Sequence, residues 1–79
     1  PEEGVNIRIL FKQDKAKNTL IPEMAKQIPV NFSIVSSKLE KFRDDIIGST
    51  VINMDARDKK IISEYLNSRC IIWEALDNG

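Results

Sequence analysis

From Val5 the chain alternates: Val5, Ile7, Ile9 and Phe11 fall on one side and Asn6, Arg8 and Lys12 on the other, interrupted only by Leu10. That is the pattern of a half-buried strand. Gln13 to Lys17 reads as a polar, charged turn, after which Asn18 or Thr19 is placed to cap the N–H groups of a helix. Leu20, Met24 and Ile28 then recur at i, i+4 and i+8 with Ile21 and Ala25 beside them; Pro22 falls in the first turn, and Pro29 ends the helix. Val30 to about Phe42 reads as a second strand with Phe32 and Ile34 on one face and Ser33, Val35, Ser37 and Leu39 on the other. Arg43-Asp44-Asp45 is the hairpin tip, and Ile46 to Met54 is a third strand with Gly48 early within it, in which Thr50, Ile52 and Met54 oppose Ser49, Val51 and Asn53. Asp55 suits the N-cap of a second helix, whose stripe Ile61, Ile62, Tyr65 and Leu66 faces the sheet. Asn67 to Arg69 breaks that helix, and Cys70 to Leu76 is a last strand with Ile71, Trp73 and Ala75 toward the core.

The order β-α-β-β-α-β predicts an α+β domain of the ferredoxin-like split type: four antiparallel strands, both helices on one face and the other face open. In that arrangement the row Ser33, Val35, Ser37 and Leu39 is expected on the open face. Seventy-nine residues hold one core, so residues 1–79 are a single domain with an ordered part of about 5–76. The polar ends and the absence of an initiator Met suggest a domain cut from a longer polypeptide. Ile and Val supply 16 of the 33 apolar residues, which favours strands and disfavours an all-helical bundle. A domain this small buries only about 60% of its unfolded surface, so pairing with another copy would add stability.

Composition narrows the chemistry. Twelve Lys and Arg balance twelve Asp and Glu, whereas a nucleic-acid or anionic-lipid binder normally carries a basic excess. The chain has no histidine and one cysteine, which removes imidazole catalysis, a zinc site and a disulfide framework from consideration and fits a reducing compartment. No apolar run approaches a membrane span. A glycine-rich phosphate loop is missing, since Gly48 is the only glycine between Gly4 and Gly79. Asp44 and Asp45 are accounted for by the hairpin tip, Asp55 and Asp58 by a helix start, and Cys70 is expected to be a buried, inert thiol. No catalytic residue, metal or cofactor is therefore expected. An RNA-recognition sheet needs exposed central aromatics, and the central strands offer only the core-facing Phe11. Acylphosphatases share the topology but hold phosphate with an arginine after the first strand, where this chain has Lys15 and Lys17.

What remains is the row on the second strand, where two hydroxyls alternate with two aliphatic side chains. Such a surface suits either a small amphipathic ligand or the pairing of two copies. At this point the stretch Ile28-Pro29-Val30-Asn31-Phe32-Ser33-Ile34-Val35-Ser36-Ser37-Lys38-Leu39-Glu40, followed by Gly48, resembles the NIL domain, the regulatory segment of the ATPase subunit of bacterial methionine importers. The resemblance extends from Ile7-Arg8-Ile9-Leu10-Phe11 to Tyr65-Leu66. Ser33 stands where the family has the Asn of its name-giving tripeptide, followed by Ile34 and by Val35 in place of Leu; Ser37 and Leu39 take the small and aliphatic positions. Serine keeps hydrogen-bonding capacity but lacks the amide's paired donor and acceptor.

The resemblance implies a non-enzymatic domain that binds L-methionine at Ser33, Ile34, Val35, Ser37 and Leu39 and holds the transporter at rest when methionine is abundant. It further implies a homodimer, contacts with the ATPase domain of the same chain and with a membrane-embedded permease, and a place at the cytoplasmic face of the cell membrane. Two alternatives stay open: a dimerisation module without ligand, and a sensor for another amino acid.

Overall fold

The computed structural model describes residues 4–12 and 20–76; the polar turn expected at Gln13 to Lys17 and the cap at Asn18 or Thr19 lie outside them. Four strands, β1 (Val5–Lys12), β2 (Ser33–Phe42), β3 (Asp45–Met54) and β4 (Ile72–Leu76), and two helices, α1 (Leu20–Gln27) and α2 (Lys59–Ser68), follow in the expected order. All strand pairs are antiparallel and the sheet runs β2-β3-β1-β4. This is the ferredoxin-like α+β arrangement, with β1 and β3 central and β2 at one edge.

The alternation along β1 decides which face is covered. Ile7 lies between Ile52 of β3 and Ala75 of β4, and Ile9 between Thr50 and Trp73, so one side of the two central strands is a continuous apolar strip. Met24 of α1 and Ile62 and Leu66 of α2 close over it, joining Ile7, Ile9, Ile52 and Met54 in a single buried cluster. Val5, Phe11, Phe32, Tyr65, Ile71 and Trp73 pack around the cluster without being fully enclosed. The α2 stripe is narrower than its sequence suggests, because Ile61 sits at its margin, 40% exposed.

The helix ends show how the sequence punctuates the chain. The last α1 bond runs from the Ile28 N–H to the Met24 carbonyl at 3.1 Å, one residue before Pro29. At the start of α2, Asp55 is extended and makes no side-chain capping bond. A single 3₁₀ turn, Ala56–Asp58, comes first, closed by the Asp58 N–H on the Asp55 carbonyl at 2.9 Å, and α2 proper begins at Lys59. The expected Asp55 cap is thus replaced by a backbone turn.

At the other end the Ile71 N–H reaches the Leu66 carbonyl at 2.9 Å and the Cys70 N–H the Asn67 carbonyl at 3.0 Å, the paired bonds of a Schellman ending. This places Cys70 in the left-handed region at φ 58°. Cys70 is therefore the residue that ends α2, not the first of β4, and its side chain is exposed rather than buried. A guanidinium then ties the two helices: Arg69 donates to Tyr65 Oη at 2.8 Å and to Glu23 Oε1 of α1 at 3.0 Å. The hydrogen bond to Glu23, with the neighbouring Tyr65, holds Arg69 above its ordinary pKa.

Candidate functional site

The five residues singled out on the second strand lie on β2, which among the described residues is an edge strand of the sheet with no neighbour on its further side. β2 is joined to β3 by a two-residue tip, Arg43 and Asp44, with Phe42 paired to Asp45. From that end the register runs regularly: Glu40 faces Ile47, Leu39 faces Gly48, Lys38 faces Ser49, Ser37 faces Thr50 and Ser36 faces Val51. The next paired residue is Ile34, opposite Ile52, and Ser33 is opposite Asn53. Val35 is the extra residue of a β-bulge.

That one residue overturns the expected parity. Successive side chains alternate between faces, so a single unpaired residue sends everything beyond it to the opposite side. Ser33 shares the open face with Asn53, whereas Ser37 and Leu39 share the helix face with Thr50 and Gly48. Two contacts agree. Ser37 Oγ lies 3.1 Å from Oγ1 of Thr50, which is 5% exposed within the core layer, and a methyl placed on Gly48 would fall 3.1 Å from Leu39 Cδ2. The row Ser33, Val35, Ser37 and Leu39 is therefore split between the two faces, joined at the bulge. Ile34, assigned with Phe32 to the covered face, does point that way, but the helical layer stops short of the sheet edge.

Exposure follows from that shortfall. Ile34 is 55% exposed, Val35 58% and Leu39 59%, and every described side chain from Ser33 to Lys41 is exposed. An edge strand that no described strand pairs on its outer side, carrying three accessible aliphatic side chains, is a surface suited to being covered.

At the start of β2 the strand borders a cleft of about 360 Å³ lined by Pro29 to Ser33, the end of β3 and the turn into α2. Its polar groups are Asn31, Ser33, Asn53, Asp55, Arg57 and Asp58. Arg57 Nε stands 3.8 Å from Asp55 Oδ2. The Asn53 amide is fixed from behind, donating to Asn6 Oδ1 at 2.9 Å and to the Val5 carbonyl at 3.3 Å. Sequence reasoning missed Asn53 and Arg57. The available signal was the hairpin itself, because a two-residue tip counted back along both strands sets Asn53 beside the start of β2.

The arrangement joins hydroxyl and amide groups, a guanidinium and carboxylates at one end of the strand to aliphatic side chains at the bulge. It matches a small molecule with a zwitterionic head and an apolar tail. Among the described residues no group of three or more Cys, Asp and Glu side chains is gathered as for a metal ion, and no helix is long and apolar enough to cross a membrane.

Comparison with known proteins places this geometry. The chain is 49% identical over 74 residues to the methionine import ATP-binding protein MetN of Clostridium acetobutylicum, covering 94% of this chain and 23% of that protein. It is 43% identical over 76 residues to the MetN of Clostridium tetani, covering 96% and 24% respectively. The chain thus spans about a quarter of the length of these relatives. A crystal structure of the C-terminal domain of an ABC transporter ATP-binding protein from Enterococcus faecalis superimposes with a TM-score of 0.66 at 23% identity, covering 98% of this chain and 88% of that one, and so shares the fold. The NIL domain profile matches residues 5–75. On that match, which takes in every strand and both helices almost to the end of β4, the chain belongs to the NIL domain family.

Proposed function

We propose that this chain is a methionine-binding regulatory domain of a methionine importer's ATP-binding subunit. It acts by binding and not by catalysis, and it works as a homodimer. The observation that carries the reading is the bulged edge strand: exposed Ser33 and Val35 beside a cleft whose guanidinium and carboxylates complement an amino-acid head group. The names of the relatives supply the amino acid. In this reading the methionine carboxylate meets Arg57, its ammonium meets Asp58 or Asp55, the Ser33 hydroxyl takes a further hydrogen bond, and the thioether tail lies on the bulged Val35. Asn53, directly across from Ser33, offers an amide next to the position where the family's tripeptide carries one.

Regulation requires that methionine favour one arrangement of the paired domains, because a ligand with equal affinity for two arrangements shifts neither. If the bound arrangement is the resting one, transport falls as methionine accumulates, and by linkage the resting transporter binds methionine more tightly. The domain would accordingly sit at the cytoplasmic face of the membrane, with the ATPase domain of its own chain and a permease as partners. Isothermal titration of the chain with L-methionine tests the reading: saturable heat is expected, weakened at least about tenfold by Val35→Asp and by Arg57→Ala, each removing an interaction of about 1.4 kcal/mol or more. No heat at millimolar methionine would refute it.

A further inference from the structure

We infer that two copies of the chain join edge to edge along β2, with Leu39 of one copy opposite Leu39 of the other. The inference rests on the homodimeric reading above and supplies its surface and register. Among the described residues no strand pairs with the outer edge of β2, and its side chains from Ser33 to Lys41 all lie open. Antiparallel pairing of identical strands places a two-fold axis normal to the sheet. Such an axis sets residues of the same face opposite one another and must pass midway between the two copies of one residue.

The bulge confines regular pairing to the stretch from Ser36 to Phe42, which leaves few positions for the axis. An axis at Lys38 sets two lysines together, one at Glu40 two glutamates, and one at Lys41 two lysines again. Only an axis at Leu39 sets unlike charges opposite: Lys38 of each copy then faces Glu40 of the other, twice, on the open face. Within one chain these two groups already lie on that face, 3.6 Å apart and both 69% exposed, so each has room to turn to a partner. On the helix face the same axis brings the two half-exposed Leu39 side chains together. Opposed charges and apolar pairs across neighbouring strands are the units of sheet stabilisation.

Pairing in this register stops at Val35, so the segment Ser33–Val35 stays clear of the joint, beside the Arg43–Asp44 turn of the second copy. A ligand there is accommodated without breaking the pair.

Sedimentation equilibrium of the chain tests the register by charge reversal. The unaltered chain should dimerise. Lys38→Glu opposes two glutamates at both sites and should raise the dimer dissociation constant about tenfold or more, as should Glu40→Lys. Mixing the two single variants restores both unlike pairs and should give a heterodimer as tight as the original, and the double variant Lys38→Glu/Glu40→Lys should dimerise alone. A monomeric parent, a Lys38→Glu variant that pairs normally, or a mixture that stays monomeric would overturn the register. Methionine titrations of the same samples separate the two proposals. A charge-dependent dimer that gives no heat keeps the register and removes the sensor, whereas methionine binding by a chain indifferent to charge reversal does the reverse.

Discussion

Cys70 is held at φ 58°, where an L-residue carries a steric cost that glycine escapes. The two bonds that end α2 impose the conformation, and the usual occupant of that position is glycine. Its absence explains why this helix end was illegible: Cys70 next to Ile71 and Ile72 reads as the start of an apolar strand. Asp55 misleads in the opposite sense, since an acid after Met54 has the chemistry of a cap but is used for its carbonyl instead. Gly48, by contrast, fits its place, because a methyl there would fall 2.5 Å from the Phe11 ring packed over it. At Cys70, relief of the left-handed cost should outweigh glycine's extra unfolded-state freedom, so Cys70→Gly is expected to raise stability by about 0.5–1 kcal/mol. Urea unfolding should show a higher midpoint at an unchanged slope; a lower midpoint would mean that the thiol makes contacts worth more than the strain.

Strands β1 and β3 were legible because their two faces differ sharply. Ile7 and Ile9 against Asn6 and Arg8, or Ile52 and Met54 against Ser49 and Asn53, leave one way to bury the chain. β2 has no such contrast. Serines stand at 33, 36 and 37 and aliphatics at 34, 35 and 39, so neither parity is strongly preferred and nothing in Ile34-Val35-Ser36 announces an extra residue. The candidate residues thus all lie on one strand, β2, and the expected division between its two faces is wrong from the bulge onward. Deleting Val35 tests what the bulge does. Ile34 opposite Ile52 and Ser36 opposite Val51 are already consecutive in the ladder, so the shortened strand pairs without any other residue changing sides. The deletion should leave the urea midpoint nearly unchanged and abolish methionine heat; retained binding would place the ligand elsewhere on the edge.

Taken whole, the molecule has little core: Ile7, Ile9, Met24, Ile52, Met54, Ile62 and Leu66 are its buried apolar side chains among the described residues. The fold class was readable because six elements in the order β-α-β-β-α-β within this length admit few compact arrangements, whereas the proposed ligand surface was not, because it belongs to an edge that only a register defines. A small core makes the domain responsive, since any partner bound solely by the folded state contributes its full linkage energy. Methionine at a hundredfold excess over its dissociation constant contributes about 2.7 kcal/mol. Each kcal/mol moves the midpoint of a domain this size by about 4–8 °C, which predicts a rise of roughly 10–20 °C. Differential scanning fluorimetry across a panel of amino acids would measure it. The rise should follow the apolar length of the side chain, so that norleucine approaches methionine while glycine and alanine, which keep the head group but cannot reach Val35, give almost none. Equal shifts from alanine and methionine would show that only the charged cleft is engaged, and a flat response to the whole panel would leave the edge strand to dimerisation alone.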